Sequence, residues 1–291
     1  MKFIDAHHHL WDLDAVHYPW LMEKGQKRFF GDPTPIQKNY LVEDFHAESA
    51  RFSPSHSVHV QVGAADDIAE TRWLEQQQPL PSAIVAHCDL SADNAIEMLE
   101  QQAQHPRVRG VRQIVGRHSS EDSANGSGAL LENTRWIHNL GVLAEMGMSF
   151  DLQMVPEQMP KALEALRQHP NLQVALCHVG SPWDQTEAGL NNWAQGLREL
   201  ARLPNVSCKI SGLGMFNPAW TTDTLRPLVD GVISAFGAER VMFGSNFPVD
   251  KLYRGYDELW QAYTTLIETY PEATRQQMLY NTAARFYRID C

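Results

Sequence analysis

The sequence predicts a single α/β domain over residues 1–291, folded as a (β/α)8 barrel with a long loop after its first strand. Two observations predict it. Eight short extended apolar runs recur from end to end, with amphipathic helical segments between them and no linker. Parallel strands need helical crossovers, and eight strand–helix units fit a chain of this length. A doubly wound open sheet is the structural rival, but no Gly-x-Gly-x-x-Gly turn follows the first strand.

The strands are expected at residues 2–9, 56–63, 82–89, 108–116, 148–154, 172–178, 205–211 and 240–246. The first ends in Asp5-Ala6-His7-His8-His9. Strict alternation along a strand would put Asp5, His7 and His9 on one face and Ala6 and His8 on the other. Between strands, Ile96, Leu99 and Ala103 are expected to step along one buried helix face, with Pro106 closing the segment. Leu225, Leu228, Val229, Val232, Ile233 and Phe236 form a second stripe that stops at Gly237, a suitable C-terminal cap. Two connections are long. Residues 10–55 carry Trp11, Tyr18, Trp20, Phe29, Phe30 and Tyr40, and residues 117–131 are rich in Ser, Gly, Asn and Asp. Both leave the C-terminal ends of strands, the active-site face of a barrel.

Composition narrows the function. A formal net charge of −11 argues against general nucleic-acid binding and against a polybasic membrane anchor. No run of apolar residues reaches the roughly 20 needed to span a bilayer, and no signal peptide is visible at the start. Cys88, Cys177, Cys208 and Cys291 form no CxxC pair, so reduced thiols and a cytoplasmic location are expected. The expected partner is a small molecule, without an organic cofactor, and oligomeric state is open.

The strand ends are unusually polar: His7 and His9, Gln61, His87 and Asp89, Arg112, Asp151 and Gln153, His178, Lys209 and Ser211, Ser245 and Asn246. Burying one such group costs a few kcal/mol unless it is paired, so this many in one fold points to a shared site. Singly, each has a plainer reading. Lys209 could pair with a neighbouring carboxylate and only hold the barrel, His87 reads as a satisfied polar residue, and His56 and His59 read as structural.

With these residues in place the chain resembles the amidohydrolase superfamily, in the amidohydrolase-2 branch that includes sugar-acid lactonases and 2-pyrone-4,6-dicarboxylate lactonases. Eight collinear segments carry the resemblance: Ile4–Trp11, Glu70–Leu74, Gly110–Arg112, Phe150–Gln153, His178–Trp183, Asn205–Gly212, Phe243–Val249 and Asn281–Tyr287. The resemblance implies a (β/α)8 barrel and a hydrolase that opens a small lactone, expected to be a sugar-acid lactone. His7, His9 and His178 would polarise the carbonyl or hold a divalent metal, zinc or manganese. Arg112 and Lys209 would orient the substrate and stabilise the oxyanion, with Trp11, Gln61 and Gln153 contributing to the binding wall.

One departure from the family pattern matters most. The eighth-strand motif usually carries an aspartate as general base, and this chain has Asn246. An amide does not exchange a proton near neutrality. Three explanations stay open: Asp250 or Asp151 supplies the base, a metal on the three histidines activates water, or the barrel only binds a ligand. Asn246 itself would then hydrogen-bond the water or the substrate. Decarboxylation of an aromatic or muconate-type acid is the rival reaction. Cys177 and Ser181 also replace an expected aspartate and cation, which argues against a doubly charged substrate.

Overall fold

The computed structural model describes residues 2–125 and 127–290; Met1, Gly126 in the second long loop and the terminal Cys291 lie outside them. Eight parallel strands neighbour one another in chain order: β1 (Ile4–His8), β2 (His56–Val60), β3 (Ala83–His87), β4 (Val108–Ile114), β5 (Ser149–Gln153), β6 (Val174–Leu176), β7 (Val206–Ile210) and β8 (Val241–Phe243). The strands are shorter than expected because their last residues leave the ladder and turn into the loops that build the site. The outer ring is formed by α1 (Val42–Glu48), α2 (Asp67–Glu75), α3 (Ala95–Ala103), α4 (Thr134–Glu145), α5 (Met159–Arg167), α6 (Glu187–Ala201), α7 (Thr222–Phe236) and α8 (Tyr256–Leu266). This is the (β/α)8 barrel.

Local chemistry accounts for the element ends. Asp66 caps α2 by accepting from the backbone N–H groups of Ile68 and Ala69, both at 3.0 Å. The stripe on α7 is buried as expected and stops at Gly237, whose φ of +72° suits glycine. The expected stripe on α3 is corrected. Ile96 and Ala103 are exposed, while Ala95, Leu99 and Gln102 are buried. Gln102 turns inward because its amide is fully engaged: its Oε1 accepts from the Thr71 hydroxyl at 2.8 Å, and its Nε2 donates to the carbonyls of His87 at 3.2 Å and Asp67 at 3.4 Å.

Strict alternation fails on β1. Ile4 pairs with His56 and Asp5 with Ser57, but the next matched pair is His8 with His59. Three steps on β1 thus oppose two on β2, which is a β-bulge. Ile4 and Ala6 face the barrel interior with Val58, Val60, Ala83, Val85, Ala175 and Met242. Asp5 faces outward to α8, accepting from the Tyr256 hydroxyl at 3.0 Å. His8 faces outward too, stacked on Phe45 of α1 with centroids 4.4 Å apart. The bulge lets His7 and His9 both look inward.

The floor of the barrel is closed by the C-terminal segment, where Tyr280, Ala283, Phe286, Tyr287 and Ile289 pack against the interior residues of the strands. Above this plug lies a fully buried ion pair. Lys209 Nζ sits 2.5 Å from Asp151 Oδ2, and the Tyr287 hydroxyl donates to the Asp151 carboxylate at 3.0 Å. The Lys209 ammonium also lies 4.9 Å from the centre of the Tyr287 ring. Cys88, Cys177 and Cys208 are buried free thiols. Among the described residues no helix is long and apolar enough to cross a membrane.

Removing one member of the buried pair strands the other charge. Lys209→Met is expected to lower stability by about 3–5 kcal/mol in denaturant titrations, and the added change Asp151→Leu is expected to recover most of it. A loss in the double variant equal to the sum of the two single losses would show that the pair is not coupled.

Candidate active site

The barrel closes where β8 meets β1, and the closure builds the site. Asn246 N–H donates to the His7 carbonyl and His9 N–H to the Phe247 carbonyl, both at 2.7 Å. The Asp5 carboxylate accepts from Ser245 N–H at 2.8 Å and His7 N–H at 3.2 Å. Gly244 makes this approach possible, because a Cβ there would fall 2.6 Å from the His7 Cβ. Asn246 has a φ of +57°, a left-handed conformation that asparagine tolerates better than most residues.

His178 enters from β6 on a left-handed turn. His178, Val179, Gly180 and Ser181 all have positive φ, between 49° and 77°. Such a conformation is costly for the β-branched Val179, and Trp193 holds it by donating from Nε1 to the Val179 carbonyl at 2.7 Å. The His178 Nδ1 lies 3.0 Å from the Ser211 hydroxyl, and a side chain at Gly212 would collide with the same ring nitrogen. His7 then stands 4.5 Å from His178 and 5.1 Å from His9, centroid to centroid.

All three imidazoles are held toward the neutral form. Burial holds His7, His9 and His178 well below the ordinary histidine range, and the positive fields of Arg112, Lys209 and one another add to it. Neutrality fixes the contacts of His9, whose Nδ1 lies 2.7 Å from the Val60 carbonyl and whose Nε2 lies 3.2 Å from the Asn246 side chain. Both neighbours are acceptors, the Val60 carbonyl and Asn246 Oδ1, and a neutral imidazole donates to only one of them, the shorter contact being the one from Nδ1.

Neutral imidazoles have the protonation that a metal requires, and both ring nitrogens of His7 are buried without a hydrogen-bond partner. As placed here the cluster does not form a ligand set. Among the described residues no three His, Cys, Asp or Glu side chains are placed to hold an ion. Both His9 nitrogens are engaged, and the fourth position is an amide.

Above the cluster opens a cavity of about 640 Å³. Its wall includes His9, Gln61, His87, Arg112, Gln153, His178 and Asn246, and its roof includes Trp11, Trp20, Phe29 and Phe30 from the first long loop. Arg112 is buried and donates to the Gln61 carbonyl and, at 3.4 Å, to Gln153 Oε1. It has no carboxylate partner among the described residues, and its Nε has no acceptor. Arg28 and Arg117 add positive charge at the mouth. Both ends of the Arg28 guanidinium donate to Glu121 at 2.9 Å, and Arg117 lies 4.0 Å from the same carboxylate. Glu121 also accepts from Phe29 N–H at 2.9 Å, so the loops after β1 and β4 are tied across the cavity. Trp183, after β6, touches both: its Nε1 donates to the Arg117 carbonyl at 2.6 Å, and its ring packs on Phe29 at 5.8 Å.

Four expected residues, His7, Lys209, Asp151 and Asp250, are placed away from the cavity wall. Lys209 and Asp151 neutralise each other beneath the floor of the site. Asp250 is buried behind Asn246, where burial pushes its carboxyl up to about 8 against the opposing pull of the Asn246 side chain and the backbone N–H groups of Gly214 and Gly212. Arg28 and Arg117 were missed in the sequence, since a loop arginine carries no local signal of where its side chain ends. Asp67 was also missed: its carboxylate lies 2.8 Å from His87 Nδ1 at the cavity edge.

Known proteins place the chain in a family. The uncharacterized protein y4mH of Sinorhizobium fredii is 37% identical over 99% of both chains. The L-fucono-1,5-lactonase of Burkholderia multivorans is 28% identical over 98% of this chain and 96% of its own length. An amidohydrolase crystal structure from Burkholderia multivorans, with bound zinc, superposes with a TM-score of 0.84 at 25% identity over the whole of both chains. A family model described as Amidohydrolase matches residues 4–289, from β1 through the C-terminal plug, so the chain belongs to the amidohydrolase family of hydrolytic enzymes.

Proposed function

We propose that this amidohydrolase opens a small sugar-acid lactone by attack of water on the ring carbonyl. The relatives named L-fucono-1,5-lactonase support the reaction class. The observation that carries the reading is Arg112, a buried guanidinium on the cavity wall with no ionic partner among the described residues. A charge isolated in this way is costly until an anion arrives. Lactone hydrolysis supplies one twice, first as the tetrahedral oxyanion and then as the product carboxylate.

The other groups suit a hydroxylated ring. The lactone carbonyl oxygen is assigned to Arg112, whose stabilisation grows as negative charge develops on that oxygen. Gln61 receives Gly63 N–H on its Oε1 at 2.7 Å, which leaves its amide N–H groups for ring hydroxyls. Gln153 and the neutral His178 offer further polar contacts from the wall. Asn246, also on the wall, is assigned the attacking water or a ring hydroxyl. Trp11, Trp20, Phe29 and Phe30 cover the apolar faces of the ring and thin the water around the carbonyl. The cavity volume lies in the usual range for small-molecule sites.

Two outcomes follow. Arg112→Met is expected to reduce kcat/KM on the best lactone of a 1,5- and 1,4-lactone panel by about 10²–10³-fold. Its melting temperature is expected to hold or rise, because an unpaired buried charge is removed. A variant that loses stability but keeps its rate would assign Arg112 to structure instead. Metal-stripped protein is expected to keep its turnover, since the histidine cluster is not arranged to hold an ion. A rate lost to chelator and restored by zinc or manganese would move water activation to His7, His9 and His178.

A further inference from the structure

Attack by water requires a proton acceptor, and the eighth strand offers none. Asn246 is an amide, Asp250 is buried off the cavity wall, and Asp151 is held by Lys209 and Tyr287. Both ring nitrogens of His9 are engaged, by the Val60 carbonyl and the Asn246 side chain, and His178 Nδ1 lies 3.0 Å from the Ser211 hydroxyl. One other imidazole reaches the cavity. His87, the last residue of β3, lines it, and His87 Nδ1 lies 2.8 Å from Asp67 Oδ2 at the start of α2.

The pair is fixed from behind. The buried Gln102 amide donates to the backbone carbonyls of both His87 and Asp67, so helix and strand end share one prop. A carboxylate only accepts, so the proton of neutral His87 sits on Nδ1 and the lone pair on Nε2. No described residue hydrogen-bonds Nε2, and the His87 side chain is 28% exposed, on the cavity side. His87 is also the cross-strand partner of Arg112, so both side chains leave the sheet at one level and on one face. The putting together of an imidazole oriented by a carboxylate and a neighbouring free guanidinium is a base beside an oxyanion donor.

We propose that His87 is the general base of the reaction, with Asp67 as its positioning residue; this rests on the lactone-hydrolysis reading above. His87 Nε2 takes a proton from water as the water oxygen bonds to the carbonyl carbon, and the carbonyl π pair moves onto the oxygen facing Arg112. As that pair returns, the bond from the carbonyl carbon to the ring oxygen breaks. The imidazolium passes its proton to the departing ring oxygen, which becomes a hydroxyl. The new carboxylic acid ionises to solvent, and the enzyme is unchanged.

The charged groups around His87 are Asp67 and Glu70 on α2, Asp89 beyond its own strand, and Arg112 on β4.

The test is the pH profile of kcat and KM for the parent, His87→Gln and Asp67→Asn, on the lactone that the parent opens fastest in a panel including L-fucono-1,5-lactone. His87→Gln is expected to lose about 10²–10⁴-fold in kcat with KM within about threefold, and to lose the acid limb of the profile. Asp67→Asn is expected to show a smaller loss with the acid limb displaced. A His87→Gln protein that keeps its rate and acid limb overturns the proposal while leaving the lactone reading intact. A folded parent that opens no lactone overturns both. Should His87→Gln fail to fold, Asp67→Asn decides: an undisplaced limb overturns the proposal.

Discussion

A barrel of parallel strands must close, and here β8 meets β1 through a carboxylate that is taken out of water to make the joint. Asp5 is fully buried and is pushed up to about 6 by that burial, although two backbone N–H groups and the Tyr256 hydroxyl pull the other way. Its contacts hold the backbone of His7 and Ser245 in place, and the neighbouring hydrogen bonds then fix Asn246 and His9. The bulge on β1 is the second half of the same device. It turns Asp5 outward to the seam while sending His7 and His9 inward. Gly244 supplies the clearance. The closing of the fold and the aiming of the site residues are thus one set of bonds.

Electrostatics above the seam follow from position 246. A carboxylate there would place negative charge among three imidazoles and favour their protonation. With an amide there, burial and the field of Arg112 hold the imidazoles well below the ordinary histidine range, and the strongest uncompensated charge on the wall is that of Arg112. Beneath them, Lys209 and Asp151 cancel each other. The site as a whole is set up to receive negative charge, although the chain carries a net charge of −11.

Much of this is legible in the sequence, because periodicity and strand-end chemistry are local signals. The eight strands, the stripe ending at Gly237, and the strand-end residues His9, Gln61, Arg112, Gln153, His178 and Asn246 on one cavity all follow from such signals. What was not legible depends on spatial pairing or on small departures from regularity. The face of Asp5 turns on one extra residue in a strand, which alternation does not show. Ile96 is exposed because Gln102 finds three partners across elements. Lys209 had two readings in the sequence, and only the register of β5, β6 and β7 reveals Asp151 as its counter-ion. Asp67 and His87 are separated by a helix and a strand, so nothing in their spacing announces a pair.

The roof over the cavity has a consequence for traffic through it. Glu121 holds Arg28 in a two-point contact, stands near Arg117 and accepts from the backbone of Phe29. A neutral ring entering from solvent offers these arginines nothing that competes with a carboxylate. The ring-opened acid does, because it carries the same functional group as Glu121. The chemistry inside therefore creates its own competitor for the latch, and arrival and departure are not mirror images. A neutral visitor leaves the contacts of Glu121 with Arg28 and Arg117 alone, while an anionic one can compete for them.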